Sequence, residues 1–121
     1  MTNPIQNHIG AVFIPVSEMP RAIRWYSDLL GLPVQAASHE GKIYDLAMQG
    51  ETALLLDAHK AVVNSSQPLF FFWTDDIRAA YAHLKQLGIA IVAEPEDIGS
   101  VTTLTFKDPD ANLLMVCQRN A

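Results

Sequence analysis

Hydrophobic and polar positions follow the same order twice along this chain. An apolar strand pattern and then an amphipathic helical pattern cover Ile9–Leu30, and both return at Leu69–Leu87, about 58 residues later. A single unit of this size has too little core to be stable alone. The duplication therefore predicts two similar units that cover each other.

Both helical patterns have recognisable ends. Ser17 is the expected N-cap of the first helix, Pro20 is tolerated in its first turn, and Gly31 is its expected C-cap. Asp75 and Gly88 bound the second helix in the same way. The apolar stripes comprise Met19, Ala22, Ile23, Tyr26, Leu29 and Leu30 in the first helix and Ile77, Ala80, Tyr81, Leu84 and Leu87 in the second.

Three short strands are predicted after each helix, so each half is β-α-β-β-β. The turn Asp108–Asn112 is expected to join the last two strands as a hairpin. The predicted strands are His8–Val16, Pro33–Ser38, Lys42–Met48 and Thr52–Asp57 in the first half, and Leu69–Thr74, Ile89–Ala93, Val101–Phe106 and Leu113–Gln118 in the second.

Composition limits the possible partners. The 121 residues suit one domain, with module one at about 8–57, a polar linker at about 58–68 and module two at about 69–118. A net charge of −5, with only eight scattered Lys and Arg residues, argues against a nucleic-acid partner. The apolar runs are too short for a membrane span. The single Cys117 and the lack of a signal-peptide pattern predict a cytoplasmic protein.

Several segments resemble the vicinal oxygen chelate superfamily, also called the glyoxalase, bleomycin-resistance and extradiol dioxygenase fold. They are Ile14–Met19, Ala22–Tyr26, Leu30–Leu32, Trp73–Ile77 and Phe106–Leu114. The resemblance implies an α+β fold in which two β-α-β-β-β modules form an incompletely closed eight-stranded mixed β-barrel with helices outside. It also implies a homodimer, and exposed aromatics such as Trp25 are compatible with one.

One turn residue departs from the family pattern. Ala111 stands where the family usually has Gly, and we expect Asn112 to take the left-handed backbone conformation instead.

Metal-using members of this superfamily place four His, Glu or Gln ligands on inward strand faces. The resemblance puts three of these positions at Ala11, Leu69 and Met115, and the fourth at Leu55 or, with a two-residue slip, at Asp57. The choice between Leu55 and Asp57 arises because the sequence predicts a shorter turn at 49–51 than at the corresponding place in the second half. Ala and Leu have no donor atom and a thioether is soft, so we predict neither a metal nor another cofactor.

Strand alternation predicts which residues line a cavity, and assigns Phe70 and Phe72 to the core. The residues predicted to line the cavity could instead close over each other as a filled core. The predicted lining comprises Ala11, Phe13, Tyr44 or its strand alternates, Leu69, Phe71, Trp73, Thr103 and Met115.

Three functions remain open at this point. The leading hypothesis is a metal-free protein that sequesters a small, partly aromatic molecule, with no catalytic residue; the acidic balance favours a cationic ligand. The alternative is a lyase, isomerase or dioxygenase with a non-standard metal site, to which Asp57, His39 or a partner chain would contribute donors. The third is an interaction module with a filled core.

Overall fold

A computed structural model describes residues 3–37 and 40–121. Over these ranges the chain forms two helices and seven strands. The elements are β1 (Ala11–Pro15), α1 (Met19–Leu30), β2 (Ile43–Leu46), β3 (Ala53–Asp57), β4 (Phe71–Trp73), α2 (Ile77–Gln86), β5 (Ile91–Asp97), β6 (Val101–Lys107) and β7 (Leu113–Arg119).

The strands form two sheets, with orders β1-β3-β2 and β4-β7-β6-β5. In each sheet the strand before the helix pairs in parallel with the last strand of its half, and the other pairs are antiparallel. The α+β class is confirmed. In the described ranges the strands form two mixed sheets, of three and four strands, and no closed barrel is found.

The expected strand at Pro33–Ser38 does not form over residues 33–37, and Ser38 lies outside the described residues. Pro33 has no amide hydrogen for a ladder. The amide of Gln35 donates to the Tyr44 hydroxyl at 3.0 Å. The Gln35 amide is thus bonded to a side chain, whereas in a strand it would donate to the backbone of a neighbouring strand.

The predicted start of α1 is wrong by one residue. Glu18 is the N-cap and makes no side-chain capping bond. Ser17 points elsewhere: its amide donates to Asp110 Oδ2 at 3.1 Å, and its hydroxyl donates to the same carboxylate. The Gly31 C-cap is as predicted, at φ 68°.

The start of α2 is also displaced by one residue. Asp76, not Asp75, caps this helix, and its carboxylate accepts from the amides of Arg78 and Ala79 at 3.1 Å each. Gly88 follows the helix at φ 72°, as its predicted stop requires.

One core joins both sheets and both helices. Trp25 on α1 packs against Phe106 of β6, with ring centroids 6.3 Å apart, and is half-buried in this packing. The largest fully buried side chains are Tyr26, Phe106, Ile14, Leu56, Leu84, Leu104, Leu114 and Val16. Neither helix of the described ranges is long and apolar enough to cross a membrane.

Candidate functional site

The sheet faces opposite the core carry large exposed aromatic side chains. Phe13 of β1 is 57% exposed, and Phe71 and Trp73 of β4 are 44% and 49% exposed. Their strand neighbours Phe70 and Phe72 are half-buried and pack against the core. Because side chains alternate along a strand, the exposed set lies on the faces that the helices do not cover.

In the four-stranded sheet, the register brings several predicted lining residues together. Phe71 pairs with Met115, and Trp73 pairs with Cys117, which in turn pairs with Thr103. Partners across a ladder share a face. We call this surface the aromatic face; it consists of Leu69, Phe71, Trp73, Thr103 and Met115.

Tyr44 does not belong to an uncovered face. It pairs with the fully buried Leu56, is only 4% exposed, and lies in the core. Its alternate Asp45 is exposed and pairs with Leu55, the ladder partner of Phe13. The expectation for Tyr44 was wrong because the pairing of β2 with β3, not the sequence of β2, decides which residues face inward.

The remaining predicted lining residues lie on the other sheet. Ala11 and Phe13 belong to β1, and no ring contact of the described residues joins Phe13 to Phe71 or Trp73. Within one chain, the predicted lining is therefore split between two uncovered faces.

An open crevice of about 590 Å³ lies between the two modules, beside β4. Phe71 and Trp73 contribute to it, together with the core-facing Phe70 and Phe72. Gln49 and Thr52 are its only polar lining residues among those described. The other lining residues are Val12, Leu30, Leu32, Ala47, Met48, Ala53 and Leu54. Sequence reasoning placed Phe70 and Phe72 against the core, where they do pack, but it missed the crevice because the segment around Gln49 and Thr52 borders them only in the folded chain.

The modules are also joined by a buried polar group, Tyr26, Asp108 and Asn112, which we call the clasp. Asp108 Oδ2 accepts from the Tyr26 hydroxyl at 2.6 Å and from Asn112 Nδ2 at 2.8 Å. Asp108 Oδ1 accepts from the amides of Asp110 and Asn112 at 2.9 and 2.8 Å. Asn112 Nδ2 also donates to the Pro15 carbonyl at 2.9 Å, which ties the last hairpin to β1.

The environment of Tyr26 keeps its hydroxyl a donor. Burial, and then the charge of the Asp108 carboxylate, raises the pKa of the Tyr26 phenol far above its usual value. The phenol therefore stays protonated at any working pH, and the clasp holds the modules together by a hydrogen bond to a buried carboxylate.

The repeat shows why the crevice stays open. Leu46 pairs with Leu54, and Phe106 pairs with Leu114, so both hairpins close over the same number of residues. The expectation of a shorter first turn was wrong. An offset of about 60 residues therefore aligns the first hairpin with the second without a gap.

This offset places Met48 and Thr52 where the second half has Asp108 and Asn112. The repeat likewise places Trp73 where the first half has Pro15. The crevice therefore lies where a second clasp would be, and its residues lack the carboxylate and amide that close the first.

The register also settles the fourth family ligand position. Phe13 pairs with Leu55, and its repeat counterpart Phe71 pairs with Met115. Leu55 is thus the equivalent of Met115, and the slip to Asp57 is excluded. The four positions that the family resemblance implies are therefore occupied by Ala11, Leu55, Leu69 and Met115.

The neighbouring carboxylate is already engaged. Asp57 Oδ1 accepts from the His59 amide at 2.9 Å and lies 2.9 Å from His59 Nδ1. The backbone hydrogen bond lowers the pKa of Asp57. Within the described residues, no three His, Cys, Asp or Glu side chains are grouped to hold a metal ion, and His39 lies outside them. The donor set does not fit the family's metal.

Comparisons with known proteins agree with this architecture. Residues 5–116 match the model of the Glyoxalase/Bleomycin resistance protein/Dioxygenase superfamily. The chain is 26% identical over 125 residues to YurT of Bacillus subtilis (strain 168), covering 92% of this chain and 97% of YurT.

Two solved structures share the fold. TnmS3, an antibiotic binding protein from Streptomyces sp. CB03234, aligns with a TM-score of 0.79 at 24% identity, covering 98% of this chain and 100% of TnmS3. ATC0852 from Agrobacterium tumefaciens aligns with a TM-score of 0.78 at 22% identity, covering 96% and 100%. At these identities the likeness concerns the fold alone.

Proposed function

The chain belongs to the Glyoxalase/Bleomycin resistance protein/Dioxygenase superfamily, and from this premise we propose that it binds and sequesters a small, partly aromatic molecule without a metal ion. The antibiotic-binding neighbour TnmS3 supports a small-molecule ligand, because it has the same fold. A cytoplasmic location, favoured by the single buried Cys117, is part of the proposal.

One observation carries the proposal: two half-exposed aromatic side chains border an open apolar crevice. The rings of Phe71 and Trp73 lie edge to face, with centroids 4.8 Å apart and planes at 86°. The crevice beside them, of about 590 Å³, has a size typical of drug-sized ligand sites, and its lining side chains are mostly apolar. An aromatic ligand would gain contact area and ring–ring contact there.

The ligand-binding residues that we propose lie on both uncovered faces. They are Phe71 and Trp73 at the crevice, Leu69, Thr103 and Met115 on the rest of the aromatic face, and Ala11 and Phe13 on the uncovered face of the other sheet. The proposal no longer includes Tyr44.

We further propose that a second copy of the chain covers these faces. Phe13, Leu69, Phe71 and Trp73 are each at least 39% exposed, which is unusual for so many large apolar side chains on two sheets. A homodimer that brings the β1 face of one copy onto the aromatic face of the other would unite the two halves of the lining.

Ligand binding is tested with a Trp25→Phe variant, which leaves Trp73 as the one tryptophan of the chain. Titration with a library of aromatic fragments should quench or shift its fluorescence and raise the melting temperature. Phe71→Ala should weaken binding by about threefold to tenfold, the usual worth of a ring–ring contact. Val92→Ala, on β5 and 48% exposed, is the matched control. No response to any fragment would contradict the proposal.

The metal-free part of the proposal has its own test. Protein purified without chelator should contain far less than one zinc, nickel, manganese or iron per chain by elemental analysis, because the four family positions offer no hard donor. Near-stoichiometric metal would instead favour a lyase, isomerase or dioxygenase with unconventional ligands.

A further inference from the structure

Arg119, the last residue of β7, places a cation on the aromatic face. Its guanidinium carbon lies 3.7 Å from the centroid of the Trp73 ring. Trp73 in turn contacts Phe71. A guanidinium stacked on a ring keeps its planar N–H edge free, so the stacking orients the donors without using them.

This cation has no acidic partner in the part of the chain that the structure describes. The ion pairs there involve His8, Arg21 and His59, and no side-chain hydrogen bond includes the Arg119 guanidinium. The chain has 13 acidic residues against 8 Lys and Arg. Arg119 is exposed beside the aromatic pair, so its guanidinium is available to an acidic group from outside the chain.

We propose that Arg119 recognises an acidic group, such as a carboxylate, on a flat aromatic ligand whose ring lies against Phe71 and Trp73. This inference rests on the proposed function and adds the chemical class of its ligand. A guanidinium binds a carboxylate through two parallel hydrogen bonds, which suits an acid attached in the plane of a ring.

Arg119 has more influence than the net charge of the protein on whether an acidic or a cationic ligand is preferred. The net charge of −5 attracts cationic ligands only at long range, where salt screens it over about 8 Å. A bidentate contact acts at about 3 Å and is little screened. An aromatic acid is therefore preferred over the cationic ligand that the composition favoured.

The experiment compares three probes of one shape by isothermal titration calorimetry: naphthalene-2-carboxylate, naphthalene-2-carboxamide and 2-naphthylmethylammonium. The native chain should bind the carboxylate about tenfold to 100-fold more tightly than the amide, the usual worth of a hydrogen bond to a charged group. Arg119→Gln should abolish this preference, so that the carboxylate and the amide bind with similar affinities. Arg119→Lys should retain part of it, because the charge remains but the planar fork is lost.

Arg24→Gln is the matched control, since Arg24 is an exposed arginine of α1 away from the aromatic face. It should change none of the three affinities. Equal binding of the acid and the amide by the native chain would overturn the inference, as would a preference that survives Arg119→Gln.

Two other outcomes would overturn it for different reasons. Binding of none of the three probes would contradict the aromatic site itself, and with it the proposed function. A change of oligomeric mass in Arg119→Gln with an unchanged acid-to-amide ratio would show that Arg119 pairs with a second copy, for example with its exposed Asp45, and not with a ligand.

Discussion

At the scale of single residues, Ala111 adopts a backbone conformation that suits glycine. Its φ is 64°, whereas Asn112, which we expected to take the left-handed position, does not. The side chain and amide of Asn112 are bonded to Asp108 and Pro15, and this bonding fixes its backbone. The turn therefore places the left-handed conformation on a residue whose Cβ makes it costly.

Replacing Ala111 by Gly should stabilise the protein. The left-handed conformation costs a non-glycine residue about 1–2 kcal/mol, and a glycine avoids this cost. The greater flexibility of glycine in the unfolded chain offsets part of the stabilisation. We expect Ala111→Gly to raise the free energy of unfolding in urea by about 0.5–1 kcal/mol.

The control for this change is an exposed alanine within a helix. Ala82→Gly in α2 should lower the free energy of unfolding by about 0.5–1 kcal/mol, since glycine is disfavoured there. A lower stability of Ala111→Gly would show that the turn tolerates alanine without strain.

At the scale of elements, the clasp explains how α1 and the last hairpin hold the two modules together. Tyr26 on α1 is fully buried, and Asp108 is 6% exposed. A buried carboxylate needs all its donors, because each one that is removed leaves charge without a partner. The resemblance singled out the Asp-Pro-Asp turn, but its partner on α1 was read as an ordinary core residue.

Removing the Tyr26 hydroxyl should test the clasp. Tyr26→Phe keeps the ring packing and leaves Asp108 Oδ2 with Asn112 as its remaining donor. We expect the free energy of unfolding to fall by about 1.5–3 kcal/mol, the usual effect for a hydrogen bond to a charged group.

Tyr81→Phe provides the comparison, because the Tyr81 hydroxyl donates to the exposed Glu94 at 2.7 Å. An exposed bond of this kind should contribute less than about 0.5 kcal/mol. Equal losses in the two variants would mean that the clasp adds nothing beyond a surface contact.

At the scale of the whole molecule, each sheet has one face covered by the helices and the core, and its opposite face is open. A homodimer of mass about 26.6 kDa, twice 13.3 kDa, is the expected species in light scattering after gel filtration. Phe13→Lys should convert it to the monomer, because a buried ammonium would have no acidic partner on the aromatic face, which already carries the Arg119 cation.

Val63→Lys is the matched control, since Val63 lies in the linker and is 82% exposed. It should leave the dimer intact. A native chain that runs as a monomer at all concentrations would contradict the proposed covering of the faces by a second copy.

Much of the architecture could be predicted from the sequence, because it depends on neighbours along the chain. The duplication, both helices and the alternation of Phe70, Phe71, Phe72 and Trp73 follow from local periodicity. The missing donors at Ala11, Leu69 and Met115 follow from residue identity once the family resemblance implies the ligand positions. Boundaries of single elements, such as the start of β5 at Ile91, shifted by one or a few residues.

Only the tertiary structure decided which residues meet across the chain. Strand pairing buried Tyr44 and made Leu55 the repeat equivalent of Met115. Packing between the modules brought Ser17 to Asp110 and Tyr26 to Asp108. The crevice beside β4 opens because the first hairpin brings Met48 and Thr52 to the place where the second brings Asp108 and Asn112. Such contacts join residues far apart in sequence, so no local pattern specifies them.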